Sequence, residues 1–110
     1  MFDGLWIIEF RSSLGLFGRG VIVLNKGRIL GGDLGYYYSG RYIITGEKIS
    51  GEADVIRFDQ NSVSVFGGDI GNYSLSFKGK IDENTFEMDA TSESFPDLVM
   101  KIKAIKKENL

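Results

Sequence analysis

A pentapeptide occurs twice in this chain with one conservative change, Gly31-Gly32-Asp33-Leu34-Gly35 and Gly67-Gly68-Asp69-Ile70-Gly71. A tyrosine follows each copy, Tyr36 and Tyr73. A polar triplet precedes each copy, Asn25-Lys26-Gly27 and Asp59-Gln60-Asn61, and another follows, Thr45-Gly46-Glu47 and Asp82-Glu83-Asn84. Such triplets favour tight turns. The spacing reads strand, turn, strand, Gly-Gly-Asp corner, strand, turn, strand, and then repeats. Internal repetition constrains architecture before any single residue is weighed.

The segments between the turns alternate with the period of a β-strand. Tyr73, Leu75 and Phe77 oppose Ser74, Ser76 and Lys78. Phe86, Met88 and Ala90 oppose Thr85, Glu87 and Asp89, and Leu98, Met100, Ile102 and Ala104 oppose Lys101 and Lys103. Ile49, Gly51, Ala53 and Val55 form the inner set after Lys48. One apolar and one polar face is the signature of an antiparallel sheet wetted on one side. Three of the triplets (25–27, 59–61 and 82–84) suit three-residue hairpins, a type I turn with a bulge position after it. Short hairpins in series make a meander, and closing it removes its exposed edges. The expected fold is all-β, a small antiparallel up-and-down barrel of eight or nine strands, with a β-sandwich as the alternative. Residues 92–97, with Pro96, read as the one irregular connection.

With 110 residues, one domain spanning residues 1–110 is expected. Hydrophobic residues make up 43% of the chain, which excludes a disordered polymer. The net charge of −2 argues against direct nucleic-acid binding or attraction to an anionic membrane. The longest apolar run, Val21-Ile22-Val23-Leu24, is too short to span a bilayer. The start Met1-Phe2-Asp3-Gly4 has no basic region followed by a long apolar stretch, so a cytoplasmic location is expected.

The chain has no histidine and no cysteine, so the usual bases, nucleophiles and transition-metal ligands are missing. No catalytic role, cofactor or metal is expected. The Gly-rich stretches lack the Gly-Lys-Ser/Thr of a phosphate-binding loop. Gly31, Gly32 and Asp33, like Gly67, Gly68 and Asp69, read as structural turns in which each aspartate accepts backbone N–H bonds. Acid–base work or cation binding by the paired carboxylates is the less favoured reading. Tyr36, Tyr38 and Tyr42 share one strand face and Tyr37 takes the other, where an exposed tyrosine suits a binding rim. The lysines at 101, 103, 106 and 107 read as a solvated face.

The first two strands are apolar on both faces. Trp6, Ile8 and Phe10 form one face, yet Leu5 and Ile7 occupy the other, and Val21 and Val23 extend it. Cover within the chain and a subunit interface both answer this pattern; a homodimer is the expectation carried forward. Small residues at Gly40, Gly51, Ala53, Gly79, Ala90 and Ala104 leave room among large ones. Trp6, Phe10, Phe77, Phe86, Met88 and Met100 are therefore candidate walls of a cavity for a small apolar ligand.

Gly4-Leu5-Trp6 matches the Gly-x-Trp that opens the first strand of lipocalins. The stretch from Gly18 to Gly40 as a whole resembles the GrlR family, named for a negative regulator of type III secretion genes. Family members open with Asn/Asp-Gly, here Asp3-Gly4, and carry G-x-G, G-G-D and Y-x-G across strands two to four. Those letters fall here on Gly18, Gly20, Gly31, Gly32, Asp33, Tyr38 and Gly40. The resemblance implies a lipocalin-like β-barrel, dimeric, with an apolar interior. It also implies action by binding a helix-turn-helix transcription activator rather than DNA. The founding regulator has an acidic run in the loop after this segment; the matching place here reads Thr45-Gly46-Glu47-Lys48, where only Glu47 corresponds.

Overall fold

A computed structural model of the chain describes residues 2–62, 64 and 71–110. Eight antiparallel strands run in chain order: β1 (Gly4–Ser12), β2 (Phe17–Asn25), β3 (Arg28–Gly32), β4 (Tyr36–Thr45), β5 (Lys48–Arg57), β6 (Asn72–Asp82), β7 (Thr85–Thr91) and β8 (Met100–Asn109). Each pairs with the next, and β1 pairs with β8, which closes the barrel. No helix forms among the described residues.

The inward set follows from the alternation, because successive Cβ atoms on a strand point to opposite faces. Ile49 and Val55 on β5, Tyr73, Leu75 and Phe77 on β6, and Phe86, Met88 and Ala90 on β7 are all buried. The outward lysines meet acids on the neighbouring strand: Lys101 reaches Asp89 at 2.8 Å and Lys103 reaches Glu87 at 3.8 Å. Both pairs are exposed, so each contributes little stability.

The turns differ from expectation in detail. Asn25 pairs with Arg28, so that hairpin has a two-residue loop, Lys26-Gly27. Both loop residues take positive φ, 50° and 84°, as in a type I′ turn whose twist matches the flanking strands. At the β6–β7 turn Asp82 pairs with Thr85, and Glu83 adopts φ of 50°. Among the described residues Asp59-Gln60-Asn61 joins no pair of strands as a tight hairpin; it follows β5, and Asp59 accepts a bond from the Asn61 N–H at 3.0 Å. Gly67, Gly68 and Asp69 of the second corner lie outside the described residues. The irregular connection expected near Pro96 does separate β7 from β8.

Gly51 permits tight closure. A Cβ there would lie 2.0 Å from the Arg41 carbonyl oxygen on β4 and 2.8 Å from the Phe77 ring. Only glycine lets the two backbones approach so closely.

The connections alternate between two ends. The turns at 26–27, 46–47 and 83–84 lie at one end, with the chain's beginning. The turn at 13–16, the corner at 33–35 and the long connections lie at the other.

Candidate functional site

The first end is plugged by aromatic rings. Trp6 is fully buried, with its ring centroid 4.8 Å from Phe86 and 4.9 Å from Phe2. Phe2 also lies 5.6 Å from the Tyr42 ring. The Trp6 indole donates its N–H to the Phe2 carbonyl at 3.1 Å, so its one polar atom is satisfied. Asp3 braces this end from outside: it accepts the Tyr42 hydroxyl at 3.0 Å and the Lys26 N–H at 3.1 Å.

The other end is hollow. A cavity of about 300 Å³ extends inward from the β3–β4 corner. Its deep wall is apolar, with Ile8, Ile22, Val55, Leu75 and Ile102 among the lining side chains. At the rim Phe17 and Leu34 are exposed, Leu34 at 92% of its surface. Leu14, Leu16 and Phe58 are exposed in the neighbouring connections, so this end presents apolar side chains to solvent.

The expected cavity walls separate into two groups. Phe10, Phe77, Met88 and Met100 line the cavity. Trp6 and Phe86 do not: they fill the barrel at the plugged end, because their rings pack on each other and on Phe2. Ile8, Ile22, Ile29 and Ile102 also line the cavity, beyond the large aromatic and sulfur side chains expected there. Their inward positions were readable from the alternation.

The polar groups of the cavity gather at its open end. Asp33 Oδ1 accepts the N–H groups of Gly35 and Tyr36, each at 2.9 Å. This is the turn-capping role expected of Gly31-Gly32-Asp33. Its second oxygen accepts the Tyr38 hydroxyl, a contact five residues along the chain. Tyr38 faces the same cavity because it shares the inward register of Tyr36. Across the opening the Ser64 hydroxyl donates to the Tyr73 oxygen at 3.1 Å, and the Tyr36 and Tyr73 rings meet edge-on at 6.4 Å.

These surroundings keep the phenols protonated. Burial pushes Tyr38 far above the ordinary tyrosine value, and its bond to the Asp33 carboxylate adds to the effect. Tyr73 is pushed up to about 12, again chiefly by burial, with the Ser64 bond opposing and Tyr36 and Asp33 reinforcing. Burial raises Tyr36 as well, against the nearby Arg57 guanidinium, and raises Tyr42 at the plugged end. At neutral pH the tyrosines around the opening are therefore uncharged. Asp33 supplies the carboxylate.

A second surface feature lies outside the barrel. Ile7 on β1 stands opposite Val21 on β2 and Ile105 on β8. Val21 faces Gly32, which faces Tyr37, so the row continues to β4 across a position without a side chain. The adjacent row runs from Leu5 to Val23 to Leu30. Val21, Leu30, Tyr37 and Ile105 are exposed, while Leu5, Ile7 and Val23 are half-buried. The structure thus brings Leu5, Ile7, Val21, Val23 and Tyr37 into one stripe. Glu47 stands apart, in the β4–β5 turn at the plugged end. Leu30 and Ile105 extend the stripe: Ile105 joins it only through the closing β1–β8 pairing, whereas Leu30 meets Val23 across the local β2–β3 hairpin.

Among the described residues no cluster of three or more acidic side chains is arranged to hold a metal. No protein-family model matches the chain, and no curated protein matches it.

Proposed function

We propose that this chain is a non-enzymatic binding protein that holds a small apolar ligand inside a lipocalin-like barrel. The observation that carries the reading is the blind cavity of about 300 Å³, apolar in depth and polar at its mouth. Ligand sites commonly begin near this size and combine an apolar lining with a few convergent polar groups. The absence of histidine and cysteine from the chain fits binding better than catalysis. Titration with naphthalene, followed by amide shifts in a ¹⁵N NMR spectrum, tests it. Shifts should concentrate at Phe10, Phe77, Met88 and Val55, and Ala53→Leu should weaken them by filling the cavity. Shifts confined to the outer stripe would refute the reading.

A second reading, protein contact, is favoured by that stripe. Contiguous apolar surface on a barrel exterior marks an interaction site. The resemblance to GrlR-type negative regulators points the same way: a cytoplasmic homodimer that contacts a transcription activator. The two readings are compatible, since β1 and β2 carry both the cavity wall and the stripe. A ligand in the cavity then tunes the contact outside it. Pull-down with and without naphthalene from the native host tests this; recovery of no helix-turn-helix protein in either arm counts against it.

A further inference from the structure

Asp33 and Tyr38 form an acceptor pair on one side of the cavity mouth, apart from the Tyr36 and Tyr73 hydroxyls that also line it. Tyr38 has a single hydroxyl hydrogen, and that hydrogen goes to Asp33. Its oxygen therefore only accepts. Asp33 Oδ1 is occupied by two backbone N–H groups, while Oδ2 takes the Tyr38 hydroxyl and keeps capacity for one more donor. The Asp33–Tyr38 side of the mouth thus presents two neighbouring acceptors and a negative charge.

The basic groups nearby are directed elsewhere. Arg19 is among the residues that line the cavity, but its guanidinium contacts Glu9 at 3.2 Å on the outer face of β1 and β2. Arg57 donates to Gln60 at 3.3 Å and hydrogen-bonds Tyr36, and it is not among the residues that line the cavity. A carboxylate head group would bring acceptor oxygens against acceptors and a like charge against Asp33. The apolar wall strengthens that repulsion because it lowers the local dielectric. A donor head group meets two partners already in place.

Size narrows the ligand further. A dry apolar cavity of about 150 Å³ admits benzene. Twice that volume admits a body of about a dozen non-hydrogen atoms on the same proportion. The plug of Phe2, Trp6 and Phe86 closes the far end, so a long chain cannot thread through.

Resting on the ligand-binding reading, we propose that the cavity selects a compact lipophilic hydrogen-bond donor, an amine or an alcohol, and rejects carboxylates of the same size. The donor lies between Asp33 Oδ2 and the Tyr38 oxygen, with the ring system against Ile8, Val55 and Met88.

Three probes with one ring system test this by isothermal titration calorimetry at pH 7: 1-naphthylmethylamine, 1-naphthalenemethanol and 1-naphthoic acid. The amine and the alcohol should bind at least about tenfold tighter than the acid. Asp33→Asn keeps an oxygen for the corner N–H groups and removes the charge, and should bring the amine and the acid within about threefold. Tyr38→Phe leaves the charge in place and should retain the preference for amine over acid, which keeps the test open if Asp33→Asn fails to fold. Equal binding of all three probes to the wild type, or tightest binding of the acid, overturns the donor selection and leaves the binding cavity standing. Binding of none of them overturns both.

Discussion

Asp33→Ala is the substitution that most directly tests the corner. It removes the acceptor for the Gly35 and Tyr36 N–H groups, both at 2.9 Å, and for the Tyr38 hydroxyl. Bonds to a charged acceptor are worth about 1.5–3 kcal/mol each, but the corner is half-buried and water replaces part of the loss. About 1 kcal/mol for each N–H group is the appropriate scale. Tyr38 is only 9% exposed, so its stranded hydroxyl adds about 1–2 kcal/mol. The expected total is about 3–4 kcal/mol, against about 5–15 kcal/mol for a whole domain. Urea unfolding followed by the fluorescence of Trp6, the single tryptophan, reads it. Tyr38→Phe alone should cost about 1 kcal/mol, and less than about 0.5 kcal/mol once Asp33 is alanine, because the pair acts as a unit. A cost below about 1 kcal/mol for Asp33→Ala, or additive single and double variants, refutes the carboxylate as the brace of this corner.

Gly51→Ala should destabilise the barrel by about 1–3 kcal/mol, since the new methyl group meets the Arg41 carbonyl and the Phe77 ring; thermal unfolding measures it. Tyr36, Tyr38, Tyr42 and Tyr73 all have folded values above that of an unfolded tyrosine. The unfolded chain therefore loses protons first, and stability is full below about pH 10 and falls as pH rises from there toward 12. Urea midpoints measured between pH 8 and 11.5 should decline across that window; a flat profile contradicts the burial of these phenols. Light scattering at micromolar concentration should give twice the 12.2 kDa chain mass for the wild type and the chain mass for Ile7→Asp. A monomeric wild type removes the outer stripe as a dimer face.

The sequence by itself determined the all-β class, the inward and outward sets and the position of most turns. These are local properties. The face a residue takes depends on its parity along the strand, and a turn depends on a few adjacent residues, as at Asn25 to Arg28. The capping role of Asp33 was legible for the same reason, because its N–H partners lie two and three residues away. Tertiary structure decided the rest. The cavity is the space left between side chains from strands far apart in the chain, such as Ile8, Val55 and Met88, and no local pattern encodes a void. Trp6 and Phe86 resemble the cavity walls in type and parity, yet they fill the plugged end because barrel closure sets them beside Phe2. The repeated pentapeptide implied two equivalent corners; Gly67, Gly68 and Asp69 of the second copy lie outside the described residues. Turn chemistry shows where a chain can bend, whereas strand pairing across the barrel determines which bends join neighbours. The Asp33–Tyr38 contact lies between these limits: the spacing was visible, but only the curvature of β3 into β4 brings the carboxylate over the cavity and onto the phenol.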